Sequence, residues 1–149
     1  MRNTYKGKFV PKNPHKYRGD INNIIFRSSW ELKLMKFLDE HSGVLEYGSE
    51  EIVIPYKSPV DGQFHRYFVD FFIKIKTKTG EIKRYLIEVK PFRFTQEPTI
   101  PKRKTKQFIN EVYQWAVNNA KWDAAKKVAK QNGWEFMLIT EKDLGLLQN

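Results

Sequence analysis

The amino-acid sequence predicts an α/β domain in which a mixed β-sheet is flanked by helices. Segments with apolar residues at helical spacing alternate with segments rich in β-branched and aromatic residues. Their order is helix, strand, hairpin, helix, strand, which corresponds to an αβββαβ arrangement. The chain of 149 residues fits a single domain, residues 1–149, with a basic N-terminal arm over residues 1–23 and a core over residues 24–149.

The N-terminal arm is expected to be extended, because prolines and a glycine stand among its basic and aromatic residues. Phe9 and Tyr17 are the side chains predicted to pack it onto the core. Residues 1–19 contain six Lys or Arg residues and no acid, and the whole chain has a net charge of +10. This pattern favours a polyanionic partner over the alternative of a merely soluble basic protein.

The first helix is predicted over residues 25–40, where large apolar side chains recur at every fourth position. Ser28 or Ser29 is expected to cap its N-terminus, because a serine hydroxyl can accept a hydrogen bond from the first turn. Gly43, just beyond the last apolar position, is expected to follow its end.

Three strands are predicted in the middle of the chain. Residues 51–57 alternate apolar and polar side chains, whereas residues 64–76 and 81–90 are rich in β-branched and aromatic side chains. The connection over residues 77–80 is short and ends in glycine, so the last two strands are predicted to form a β-hairpin.

The C-terminal third is predicted to be mostly helical. A proline-containing loop over residues 91–101 leads into helices over residues 102–120 and 122–132, the second of which ends at an Asn-Gly pair. Residues 134–140 form a nearly continuous apolar run, as expected of a central buried strand, and residues 140–143 can form a last capped turn. The tryptophans of this region are expected in the core rather than as a base-stacking platform: Trp115, Trp122 and Trp134.

The composition narrows the chemistry that the protein can perform. The absence of cysteine excludes disulfides, thiolate catalysis and cysteine-bound zinc, and three scattered histidines argue against a histidine-rich metal site. A metal would therefore be held by oxygen ligands, which favours Mg²⁺ or Mn²⁺. No apolar run is long enough to span a membrane and no secretory signal is recognisable, so the protein is expected to act where it is made.

Asp70, Glu88 and Lys90 interrupt the apolar strands of the predicted hairpin. Because strand side chains alternate between faces, Glu88 and Lys90 point the same way. Asp70 shares that face only if the hairpin loop contains an odd number of residues, as in a three-residue loop closed by Gly80 in a left-handed conformation. An even loop would turn Asp70 to the opposite face.

Two facing carboxylates beside an ammonium group predict a metal-dependent phosphodiesterase site. Like charges in contact raise a pKa unless a cation lies between them, and a divalent metal removes this conflict. The metal would polarise a phosphoryl oxygen and activate water, while Lys90 would orient that water or stabilise the transition state. The alternative is a solvated sheet face on which the two acids pair with Lys90 or Arg84.

The same residues resemble the motifs of the PD-(D/E)xK nuclease superfamily. Val69-Asp70 resembles the first acidic motif, with valine in place of the frequent proline, and Glu88-Val89-Lys90 resembles the second. Many members add a glutamate from the first helix, a position that Glu31 matches. The resemblance implies a restriction-endonuclease-like catalytic core with four catalytic residues: Glu31, Asp70, Glu88 and Lys90. It also implies a Mg²⁺ or Mn²⁺ site formed by Glu31, Asp70, Glu88 and Val89.

Residues 26–91 are also similar to the catalytic domain of Tn7-type transposon endonucleases, with a Ser-x-Trp-Glu helix, an Ile-Pro-Tyr strand and a Glu-Val-Lys-Pro ending. The whole length resembles the head completion proteins of T4-like phages. These similarities imply a metal-dependent DNA endonuclease that acts in phage head completion or DNA packaging, in the host cytoplasm and the virion. The implied partners are DNA and phage head, portal or packaging proteins, with no membrane and no small-molecule cofactor. The alternatives are a structural DNA-binding head completion protein on a nuclease fold, and an RNA nuclease.

Contacts to DNA are predicted from basic and polar residues around this site: Arg27, Ser28, Arg66, Lys102, Arg103, Lys104 and Gln107. Gln107 matches the position at which some members of the superfamily carry the polar residue of a fourth motif. His65 is expected to be a surface residue at a strand end rather than a general base.

Overall fold

The computed structural model describes residues 6–145. Its regular elements, in chain order, are β1 Gly7–Lys8, β2 Ile25–Phe26, α1 Ser29–Glu40, β3 Val44–Ser49, β4 Val53–Lys57, β5 Phe64–Phe68, β6 Phe71–Lys76, β7 Ile82–Val89, α2 Lys106–Asn132, β8 Glu135–Ile139 and α3 Glu141–Leu144. Single 3₁₀ turns occur at Pro14–Lys16 and Phe92–Thr95. Among the described residues, no helix is long and apolar enough to cross a membrane.

The central sheet has the strand order β3-β6-β7-β8, in which β7 and β8 are parallel and the other pairs antiparallel. Together with α1 and α2, these strands give the order αβββαβ, so the predicted mixed sheet with flanking helices is confirmed. Successive side chains of β7 point to opposite faces of the sheet. Ile87 therefore packs in a core with Leu34 of α1. Leu86 packs in a second core with Trp122 and Ala125 of α2.

The strands that form the central sheet differ from those that were predicted. β3 was not predicted, because two glycines flank and interrupt a short segment that follows the first helix directly. The predicted strand over residues 51–57 begins at Val53 and pairs with β5 in a separate two-stranded ribbon, β4–β5. The predicted strand over residues 64–76 is interrupted at Val69-Asp70, where the chain leaves this ribbon and enters the central sheet.

The helix bounds also require correction. Residues 25–26 form β2 with β1, and α1 begins at Ser29, with Ser28 accepting a hydrogen bond from the Glu31 N–H at 3.1 Å. The two helices predicted over residues 102–120 and 122–132 are one continuous helix, α2, which ends at Gly133 with a φ of 73°. Residues 134–140 supply β8, which lies at the edge of the sheet and not at its centre.

The described part of the arm packs against α1 as predicted, with Phe9 and Tyr17 buried. Its cations have structural roles that the charge pattern did not reveal. The Lys16 ammonium group donates to the main-chain oxygens of Leu38, Asp39 and His41 at 2.8–2.9 Å, so it satisfies carbonyls at the C-terminus of α1. At the other end of the chain, the predicted cap of the last helical turn is confirmed as a capping box formed by residues 140–143.

Candidate active site

The turn between β6 and β7 decides whether Asp70 and Glu88 meet. The Thr77 N–H donates to the Glu81 carbonyl oxygen at 2.8 Å, which closes a three-residue loop, and Gly80 in that loop has a φ of 88°. The loop is therefore odd, as predicted. Phe71 pairs with Ile87, and one further step along this antiparallel register brings Asp70 opposite Glu88.

Asp70 is held at the junction of the ribbon and the sheet. Its Oδ2 accepts a hydrogen bond from the Val89 N–H at 2.8 Å, and its carbonyl oxygen accepts one from the Glu50 N–H at 3.1 Å. Burial raises the pKa of the Asp70 carboxyl well above its usual value, and the facing Glu88 carboxylate raises it further, against the smaller opposing effect of the Val89 N–H. The site therefore favours either a proton or a cation at Asp70.

Glu88 is 5% exposed and both of its carboxylate oxygens are hydrogen-bonded. The Tyr67 hydroxyl donates to Oε1 at 2.8 Å, and the Trp122 indole N–H donates to Oε2 at 3.3 Å. The Lys90 ammonium group lies 3.2 Å from the same Oε2. Three donors from a strand, a helix and the end of β7 thus fix the orientation of this carboxylate.

Glu31 lies in the first turn of α1 and its side chain lines the same pocket as Asp70 and Glu88. Its Oε1 accepts a hydrogen bond from the Arg27 N–H at 3.2 Å, so the carboxylate also satisfies a main-chain donor that lies just before the helix. Burial is the main cause that raises the pKa of the Glu31 carboxyl, and the nearby negative charges of Glu50 and Glu88 act in the same direction.

An open pocket of about 370 Å³ gathers these groups. Its lining residues are Glu31, Arg66, Tyr67, Phe68, Asp70, Glu88, Val89, Lys90 and Lys121. Sequence reasoning missed Tyr67, since a continuous strand over residues 64–76 would send Tyr67 and Asp70 to opposite faces. It missed Lys121 because that residue fell between the two helices predicted in place of α2.

Most of the other predicted DNA contacts lie elsewhere or have partners within the protein. Arg66 lines the pocket, whereas Arg27 pairs with Glu50 through two contacts of 3.3 Å and Ser28 caps α1. His65 contacts Asp61 at 2.7 Å at the outer end of β5, away from the carboxylates, as expected of a surface residue. Three exposed cations precede α2 and do not line the pocket: Lys102, Arg103 and Lys104.

Gln107 does not approach the carboxylates. It lies in the first turn of α2, where its Nε2 contacts Glu111 at 3.3 Å. Trp122, which reaches Glu88, is fifteen residues further along the same helix, a separation of roughly 20 Å at 1.5 Å per residue. The polar residue that α2 brings to the pocket is Lys121.

The donor set fits a hard divalent cation. Asp70 and Glu88 offer carboxylate oxygens in an open pocket, and a cation between them would offset the burial and the like charge that raise the pKa of Asp70. Among residues 6–145, no three acidic or histidine side chains stand close enough to enclose a metal by themselves. Mg²⁺ commonly binds through one or two carboxylates and completes its shell with water and substrate oxygens, so a carboxylate pair suits it.

Comparison with known proteins bears directly on this geometry. Residues 41–141 match the family described as TnsA-like endonuclease N terminal. This chain belongs to that family. The matched range includes Asp70, Glu88 and Lys90 and begins after Glu31.

The mixed sheet with its flanking helices and the membership of an endonuclease family are consistent with the predicted restriction-endonuclease-like fold. The chain is also 42% identical over 147 residues to the head completion nuclease of Enterobacteria phage T4, an alignment that covers 96% of this chain and 95% of that protein. The protein is therefore a nuclease, as the sequence predicted.

Proposed function

We propose that this protein is a Mg²⁺-dependent DNA endonuclease of the PD-(D/E)xK type. The observation that carries this proposal is the opposition of Asp70 and Glu88 at the end of the central hairpin, with the Lys90 ammonium group 3.2 Å from Glu88. Membership of an endonuclease family supports hydrolysis of phosphodiester bonds as the reaction. Asp70 and Glu88 are the proposed metal ligands, with Glu31 and Val89 contributing to the same pocket.

A bound divalent metal supplies polarisation of the phosphoryl group and activation of water. Lys90 is partly exposed to the pocket, so its ammonium group can donate to the attacking water or to a phosphate oxygen that gains negative charge. Tyr67 and Trp122 keep Glu88 oriented, because each donates to a different oxygen of that carboxylate. Arg66 and Lys121 line the same pocket and add positive charge for the DNA backbone near the scissile bond.

The proposed setting is phage head completion, in the host cytoplasm and the virion. Support comes from the identity of 42% to the phage T4 head completion nuclease along nearly the whole of both chains. Phage head, portal and packaging proteins are the proposed protein partners.

Plasmid nicking with and without Mg²⁺ tests the catalytic proposal. We expect nicking by the wild type only with the metal, and a loss of at least about 100-fold in Asp70→Ala and Lys90→Ala, because each removes a group that acts on the reacting phosphate. Glu81→Ala and Lys78→Ala are matched controls at the loop end of the same hairpin, where both residues are exposed. Equal nicking by all five proteins would eliminate the proposal.

The alternative of a structural head completion protein on a nuclease fold is separable by complementation. A phage that encodes Asp70→Ala is expected to yield few infectious particles, because the fold is retained but cleavage is lost. Normal infectious particles from that phage would favour the structural role over catalysis.

A further inference from the structure

A second and larger concavity lies beside the candidate active site. It has a volume of about 860 Å³ and lies between the turn at Phe92–Thr95, the loop that follows it and the first half of α2. Its size is within the range of sites that hold small organic ligands. We call it the α2 cleft.

Two kinds of side chain in the α2 cleft suit a nucleobase, namely aromatic rings and carboxamides. Phe92, Phe94 and Trp115 provide aromatic rings, and the two phenylalanines are 36% and 37% exposed. The carboxamides of Gln107 and Gln114 are exposed along its wall, where their Nε2 groups donate to Glu111 at 3.3 Å and to the buried Asn118 at 2.9 Å. Flat rings next to carboxamides are the chemistry by which proteins stack an unpaired nucleobase and bind its edge.

The charges in and next to the cleft indicate how a DNA strand would run along it. Glu97 and Glu111 line it together with Arg93, whose guanidinium group lies 4.4 Å from the centroid of the Phe94 ring, so the net negative charge of this lining disfavours a phosphate group inside. The chain between Thr99 and Gln107, both of which line the cleft, carries an exposed run of cations at residues 102–104. A neutral base therefore fits inside the cleft while its phosphates follow the basic segment at the edge.

The cleft and the candidate active site are linked by neighbouring residues. Trp115 meets Trp122 edge to face with ring centroids 6.3 Å apart, and the Trp122 indole donates to Glu88. On the other side, the main chain passes from Lys90 through Pro91 to Phe92 in the cleft. A DNA strand that is cleaved at the carboxylates can thus reach the neighbouring cleft.

The geometry points to the α2 cleft as a binding site for unpaired nucleobases of the DNA strand next to the scissile phosphate. This inference rests on the proposed DNA cleavage and deepens it, because it assigns a substrate class: duplex DNA that ends or branches into a single strand. It also revises the expectation that Trp115 is purely a core residue, since one side of its ring faces the cleft.

Binding of two fluorescent duplexes tests this site, one blunt and one with the same sequence and a single-stranded tail that carries 2-aminopurine. In an Asp70→Ala background, which prevents cleavage, we expect at least about tenfold tighter binding of the tailed duplex and quenching of 2-aminopurine by stacking. Phe94→Ala is expected to lower this preference at least about fivefold. Tyr113→Ala is the matched control, because Tyr113 is a 55% exposed aromatic residue on α2 outside the cleft.

Equal affinity for the two duplexes, unchanged 2-aminopurine fluorescence, or equal effects of Phe94→Ala and Tyr113→Ala would each overturn the assignment. So would a concentration-dependent dimer that Phe94→Ala disrupts without any preference for the tail, since the cleft would then be an interface between two copies. Plasmid nicking by the wild type and by Asp70→Ala separates the two proposals. If nicking depends on Asp70 but the tailed duplex is not preferred, only the proposal of cleavage stands. If the tailed duplex is preferred but nicking does not depend on Asp70, only the proposal of base binding in the α2 cleft stands.

Discussion

The Val89 N–H donates a 2.8 Å hydrogen bond to Oδ2 of Asp70, across the end of the β6–β7 hairpin. This contact joins the break between β5 and β6 to the main chain at the end of β7. It orients the Asp70 carboxyl toward the end of the sheet, where Glu88 faces it. The main chain therefore determines the direction of this carboxyl before any ligand is bound.

Asp70→Asn is expected to stabilise the metal-free protein while abolishing cleavage. The amide oxygen can still accept from Val89, but the charge that burial and Glu88 disfavour is removed. We expect a gain of about 1 kcal/mol in the free energy of unfolding, the range in which active-site charges trade stability for function. Urea denaturation in the presence of EDTA measures it. A less stable Asp70→Asn protein would contradict the explanation that burial and the neighbouring charge of Glu88 disfavour a charged Asp70.

Tyr67→Phe removes the hydroxyl that donates to Glu88 Oε1 and keeps the ring. We expect the Mg²⁺ concentration for half-maximal nicking to rise about 10- to 100-fold, because the ligand loses the group that orients it. Activity at saturating Mg²⁺ is expected to recover most of the wild-type rate. Tyr113→Phe, which alters an exposed ring, is the control. A lower maximal rate with unchanged metal dependence would instead assign Tyr67 to contact with DNA.

Lys121→Ala is expected to weaken DNA binding through the loss of one phosphate contact. Lys121 lines the pocket, with its ammonium group 5.7 Å from the centroid of the Tyr67 ring. We expect the slope of log affinity against log salt to fall by about 1, with similar effects on all sequences. Titration of a labelled duplex at several salt concentrations measures this slope. Lys126→Ala, at an exposed position of the same helix, should leave it unchanged.

Lys16→Met is expected to destabilise the fold, because three main-chain oxygens at the end of α1 lose their donor. A cost of about 2–3 kcal/mol in the free energy of unfolding is the usual size for buried polar groups left without partners. Lys12→Met is the control in the same arm, since its exposed pair with Glu40 should contribute less than about 1 kcal/mol. Equal effects of the two substitutions would rule out a special role of Lys16.

The facing carboxylates could be predicted because their relation depends on local turn chemistry. A short loop ending in Gly80 selects an odd hairpin, and alternation then relates every residue of the two strands. The order αβββαβ was predictable from apolar periodicity for the same reason. The strand in the first β position was assigned wrongly, because Gly48 interrupts β3 and the more regularly alternating β4 lies in the ribbon.

Some residues reach the pocket only because the chain changes direction, and these could not be predicted from the sequence. The break at Val69-Asp70 leaves no mark in the apolar pattern, so the approach of Tyr67 to Glu88 was invisible. Lys121 depends on the continuity of α2 through a position that the apolar stripe does not mark. The cations of the arm appeared available for DNA, yet Lys16 is buried by contacts that form only in the folded protein.

The pocket is divided between two sheets that meet at one break in the chain. The central sheet carries Asp70, Glu88 and Lys90, whereas the β4–β5 ribbon carries Arg66 and Tyr67 and joins that sheet only at the break before β6. Changes in the length or outer face of the ribbon can therefore alter which DNA shapes reach the pocket and leave the register of the catalytic hairpin untouched. The ribbon is therefore the part of the pocket at which sequence changes can alter its shape without altering the register between Asp70 and Glu88.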